Sequence, residues 1–91
     1  MSYEQLYLEL ITRLLTGELR RDEVSDVLAK TVPIDIKYIR NAELLTNCEW
    51  ALRHVSEINF FTSEKELAYY ARCLRNEELF SALARDRAMA D

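Results

Sequence analysis

The chain reads as an all-α protein, a small antiparallel bundle of four or five helices in a single domain over residues 1–91. Three observations predict this. The 91 residues include one glycine and one proline; turns and strands ask for more of both, whereas helix interiors exclude both. Apolar residues recur at steps of three and four along most of the chain, which is the period of a helix face. The breaks between these stretches are short, and short connections favour antiparallel neighbours. With 49% apolar and 31% charged residues, the chain has enough of each for a packed core and a solvated surface, and it falls outside the disordered range.

The first helix is predicted over residues 2 to 16. Ser2 with Gln5 fits a capping box. Tyr3, Leu6, Tyr7, Leu10, Ile11, Leu14 and Leu15 make one stripe, and Leu8 falls off it. Gly17 follows as a residue able to take the left-handed conformation that closes a helix. The second helix is predicted over 21 to 31, with Val24, Val27 and Leu28 inward. Leu19 and Val24 are spaced as a hydrophobic staple around a cap at Arg20, and Glu23 stands at the third helical position. Arg20 is a poor N-cap, because its side chain has no acceptor oxygen. Asp22 and Glu23 in the first turn and Lys30 in the last suit the helix dipole.

Pro33 breaks the chain. The run from Ile34 to Arg40 has two readings. Near-alternation of Ile34, Ile36, Tyr38 and Ile39 suits a short strand, while the same residues suit the first turns of a helix capped at Asp35. No other strand candidate exists to pair with it, so helix is preferred. A third helix is predicted over 42 to 59 with Leu44, Leu45, Cys48, Ala51, Leu52, Val55 and Ile58 inward. Either Asn41 caps it or it runs through from Asp35, and Asn59 stops it. Glu49 and Arg53 form an i,i+4 pair. Phe60-Phe61-Thr62-Ser63 is the next corner, and Ser63 with Glu66 reads as a second capping box. Residues 64 to 74 follow, with Leu67, Tyr70, Ala71 and Leu74 as the stripe. Beyond them, either Asn76 caps a separate last helix carrying Leu79, Phe80 and Leu83, or residues 64 to 88 form one long helix. Residues 85 to 91 are expected to be frayed and exposed.

Charge and motifs narrow the function. A net charge of −4 and a pI near 5.0 have the wrong sign for a nucleic-acid binder that works through bulk charge. A helix-turn-helix reading fails as well, because the stretch after Pro33 offers only Lys37 and Arg40 among isoleucines. No apolar run reaches the roughly 18–20 residues of a membrane helix, and the first residues lack the basic segment of a signal peptide. A cytoplasmic protein with reduced cysteines is the expectation, without membrane contact. Cys48 and Cys73 read as small buried hydrophobes. His54 is the one histidine, and with two cysteines it falls short of a structural zinc set. Phosphate loops, nucleophile elbows and zinc-protease motifs are absent. Neither a catalytic group, a metal, a cofactor nor a small-molecule ligand is expected.

What remains is recognition of another protein. The acidic excess is densest at Glu18, Asp22, Glu23 and Asp26. If the second helix starts at Asp22, then Asp22 and Asp26 share an outer face. The plain reading is a solvated face balanced by Arg20 and Arg21; the functional one is a docking surface for a basic partner. Tyr3, Tyr38 and Tyr69 are candidate exposed hot-spot residues near it, and Tyr38 is grouped with the four acids as the predicted partner surface.

The run Leu10, Leu14, Leu15, Gly17-Glu18-Leu19, Arg21-Asp22-Glu23-Val24 resembles the opening of small helical bacterial immunity proteins, those of colicin-D-type bacteriocins and of contact-dependent growth inhibition. Ala42, Leu45, Cys48-Glu49 and Leu52 are similar to that group's third helix, and Leu67, Tyr70 and Leu74 to its closing helix. The likeness spans residues 6 to 75. Arg20 departs from the pattern, where such proteins often carry Ser or Thr. The resemblance implies an inhibitor that binds a cognate basic toxin domain, often a nuclease that cuts tRNA. It would occlude the active site by presenting acidic side chains where RNA phosphates would lie. A phage or plasmid inhibitor or adaptor, or a secretion chaperone with a larger apolar patch, would fit the same composition.

Overall fold

The computed structural model describes residues 2–30, 41–56 and 62–90. Among the described residues the chain is an all-α bundle of five helices without a strand: α1 (Tyr3–Thr16), α2 (Arg21–Ala29), α3 (Ala42–Arg53), α4 (Glu64–Leu74) and α5 (Ala82–Ala90). The strand-or-helix alternative at 34–40, Tyr38 with it, lies outside the described residues. So do Ile58, the Asn59 stop and the Phe60-Phe61 corner.

Local chemistry sets most helix ends. Ser2 and Gln5 form a reciprocal capping box: Ser2 Oγ accepts the Gln5 amide at 3.2 Å, and Gln5 Oε1 accepts the Ser2 amide at 3.0 Å. At the other end of α1, Gly17 takes φ +83°, and its amide donates to the Leu14 carbonyl. The Leu19 amide donates to Arg13 O at 3.1 Å, so a second terminal carbonyl is satisfied. A Cβ at position 17 would meet nothing within 4 Å. The positive φ, and no lack of space, is what calls for glycine there.

α2 begins at Arg21 despite its poor cap. The Arg20 side chain caps nothing. Its amide instead donates to Glu23 Oε1 at 2.9 Å, so the Glu23 half of the box stands alone. The staple positions Leu19 and Val24 are both in the core.

Two asparagines settle the alternatives left open by the sequence. Asn41 has φ +63°, a left-handed residue that cannot lie inside a continuous α-helix, so α3 starts afresh at Ala42. Asn76 also has φ +63°. Its amide donates to Cys73 O at 3.0 Å and the Glu77 amide to Arg72 O at 2.9 Å, the closure that ends a helix on a left-handed residue. Residues 64 to 88 are therefore two helices. Asn76 closes α4, and Ser81 opens α5, its Oγ accepting the Ala84 amide at 3.0 Å. The stretch expected to fray is helical through Ala90. α3 stops at Arg53, short of the predicted 59, with the His54 amide on Trp50 O.

α1 packs chiefly against α4, α2 against α3, and α5 against α4, while α1 and α4 both touch α3. Tyr7, Ile11, Val24, Leu28, Leu45, Cys48, Leu52 and Leu67 form the sealed centre. Leu8, off the predicted stripe, is half-buried against this core, whereas Leu15, on the stripe, is 37% exposed. The flank these two share is covered at mid-helix and open at the last turn. Thr62 is sealed and donates its hydroxyl to Ala51 O at 3.3 Å, tying the start of α4 to α3. Among the described residues, no helix is long and apolar enough to cross a membrane.

Candidate functional site

The predicted partner surface lies at the α1–α2 corner. α2 turns Val24 and Leu28 inward, so Asp22 and Asp26, one turn apart, face solvent together. The helix is held against the end of α3 by two links. Arg21 Nη1 donates to Val55 O at 3.2 Å, and the Ser25 and Ser56 hydroxyls lie 3.2 Å apart.

Part of the acidic charge at this corner is balanced locally, by two arginines. Glu18 pairs with Arg13 at 3.8 Å, while Arg20 reaches both Asp22 at 3.2 Å and Glu23 at 3.6 Å. Asp26 is exposed and has no ion-pair partner among the described residues. The Arg20 and Asp22 side chains are 75% and 71% exposed. Pairs in that setting are worth about 0–1 kcal/mol, so a partner cation can take Asp22 at little cost. The proposed hot-spot tyrosines fare differently. Tyr3 is half-buried with its ring 5.9 Å from that of Tyr7. Tyr69 is 2% exposed, because α5 and its preceding loop cover it. Its hydroxyl donates to Leu79 O and accepts the Ser81 amide, each at 3.1 Å, which makes it a tether for that loop rather than an interface residue.

A second surface was not visible in the sequence. Where α3, α4 and α5 meet there is an open cleft of about 230 Å³. On its floor Glu66, 6% exposed, accepts the Tyr70 hydroxyl at 2.6 Å. Burial pushes the Tyr70 phenol up from its ordinary pKa. The hydrogen bond to Glu66 and the negative charge there push it further, and Arg85 works against them. Tyr70 therefore stays protonated and remains the donor. On one wall Arg85 donates to Asn47 Oδ1 at 2.9 Å and pairs with Asp86 at 3.3 Å. The rim carries Trp50, 51% exposed with its ring 4.5 Å from that of His54, and Met89, 41% exposed. Glu66 was read only as the third residue of a capping box. Its amide does donate to Ser63 Oγ at 3.1 Å, but its carboxylate turns inward to Tyr70. The one usable signal was Trp50, which sits on the polar side of an otherwise regular stripe.

Two wider depressions, of about 330 and 420 Å³, share Asn41, Leu44, Cys73 and Asn76 between the start of α3 and the end of α4. Burial pushes the Cys73 thiol up, and Cys48 likewise. Both are free and buried, as expected, and neither is poised as a nucleophile. Among the described residues no group of three His, Cys, Asp or Glu side chains could hold a metal ion. Compared with known proteins, the chain matches no family model, no curated protein and no solved structure.

Proposed function

We propose that this protein works by binding another protein, and that the partner is a basic toxin domain, of nuclease type, whose active site it occludes. The observation that supports this reading is the outward pair Asp22 and Asp26 on a helix braced against α3, with Asp26 exposed and without an ion-pair partner among the described residues. In this reading the partner's lysines and arginines displace the loosely held Arg20 and engage both carboxylates. Complementary charge then speeds encounter and selects the cognate partner. Because Arg13 and Arg20 offset part of the charge of Glu18, Asp22 and Glu23, the steering is moderate.

The test is co-expression of the chain with the proteins of its own operon. Retention of a basic protein, and protection of cells from that protein's toxicity, are the expected results. Failure of both overturns the inhibitor reading. With a partner in hand, the pair of substitutions Asp22→Lys and Asp26→Lys should slow association by roughly tenfold or more at low salt. An unchanged association rate removes the α2 face from the interface.

A further inference from the structure

We infer that the cleft between α3, α4 and α5 seats a basic side chain, an arginine presented by a protein partner. This surface is separate from the outer face of α2, and the inference shares with the proposed function only the premise that the partner is basic.

Four features carry it. The cleft brings two carboxylates, Glu66 and Asp86, against one guanidinium, Arg85, which is already bound to Asn47 and Asp86. One negative charge is left for an incoming cation. The Glu66 carboxylate is engaged through one oxygen only, Oε2, by Tyr70. Glu66 lines the cleft, and among the described residues no side-chain oxygen is both sealed and unpartnered. Trp50, the one tryptophan of the chain, stands half-exposed at the rim. Its indole face attracts a cation through the ring quadrupole, most strongly where water is partly excluded. The volume, about 230 Å³, falls below the roughly 300–1,000 Å³ of small-molecule pockets and suits a single long side chain. A guanidinium fits better than an ammonium, because its plane can lie on the indole while its edge donates two N–H groups to a carboxylate. Met89, also lining the cleft, is unbranched and adapts to the alkyl stem.

Trp50 also reports on its own site. The full chain is titrated with the single-residue probe Nα-acetyl-arginine amide, following tryptophan emission. The neutral isostere Nα-acetyl-citrulline amide is run in parallel at matched ionic strength. A saturable emission change with the arginine probe alone is the expected result. Glu66→Gln keeps an acceptor for Tyr70 but removes the charge, and should weaken the probe about tenfold. Met89→Lys alters an exposed position, so folding is preserved, and its added cation should weaken binding by a similar factor. An unsaturable response, an equal response to citrulline, or less than a threefold loss in Met89→Lys overturns the inference. The Asp22→Lys, Asp26→Lys chain should bind the probe as the wild type does. Loss of the α2 docking face and loss of the cleft are thus told apart.

Discussion

Tyr70→Phe removes a single oxygen and leaves a ring that is 1% exposed and packed 6.2 Å from both Tyr69 and Phe80. Apolar packing is kept, so the substitution removes the hydrogen bond to Glu66 at 2.6 Å together with the hydroxyl's weaker contact with Arg85. A hydrogen bond to a charged acceptor contributes about 1.5–3 kcal/mol, and a buried acceptor that loses its donor bears a desolvation cost of the same order. Glu66 is 6% exposed, and water entering from the cleft recovers part of that cost, so the loss should be about 2 kcal/mol. For a chain of this size 1 kcal/mol corresponds to roughly 4–8 °C, giving a fall in Tm of about 8–16 °C. Thermal unfolding followed by circular dichroism at neutral pH measures it. Urea titration with an unchanged m-value checks that the folded state, and not the unfolded one, was altered. A double-mutant cycle with Glu66→Met, which removes the acceptor at similar side-chain length, should show a coupling of about 1 kcal/mol or more. A Tyr70→Phe chain within about 0.5 kcal/mol of wild type would mean that Glu66 is effectively hydrated, and the account of a sealed cleft floor would be wrong.

Gly17→Ala meets no steric neighbour, so its cost should be the backbone strain of positive φ alone, about 1 kcal/mol in urea unfolding; a neutral substitution would show that the corner relaxes out of the left-handed region. Asn76→Gly should be neutral or stabilising and Asn76→Ala destabilising by about 1 kcal/mol, because the residue closes α4 at φ +63°. The reverse order would contradict the C-terminal role assigned to it. Ser63→Ala removes the acceptor for the Glu66 amide and should cost about 1 kcal/mol by the same assay. Burial raises the pKa of Tyr7, Tyr70 and Cys48, whose ordinary values are 10.0, 10.0 and 9.0. The folded state thus keeps these protons to higher pH than the unfolded chain does. Their stabilisation is full below about pH 9 and is lost as pH rises, at about 1.4 kcal/mol per pH unit for each group once its unfolded counterpart ionises. Urea midpoints should therefore fall steeply above pH 9, and phenolate absorbance should appear together with loss of helix. A flat profile to pH 10.5 would contradict the burial of these groups.

The sequence by itself determined what depends on neighbours within about four residues. Ser2 with Gln5, Gly17, Leu19 with Val24, and Ser63 with the Glu66 amide all act on backbone groups one helical turn away, and each is found where its spacing placed it. The stripes were legible for the same reason, since a 3.6-residue period is local geometry. Only the tertiary structure decided what each face meets. α5 carries little apolar asymmetry of its own. It forms because Ala84 and Ala88 find the core beside Tyr69, Tyr70 and Phe80, with Arg85 reaching across to Asn47. That docking buries Tyr69, an expected surface residue, and closes Glu66 into the cleft under Trp50. Asn41 and Asn76 show the same division. Either could open or close a helix on local grounds, and the left-handed φ each takes settled it. How far Arg13 and Arg20 offset the acids of the α1–α2 corner turns on side-chain placement. Capping is a bond to the adjacent turn, while burial and charge balance are sums over everything the fold brings near.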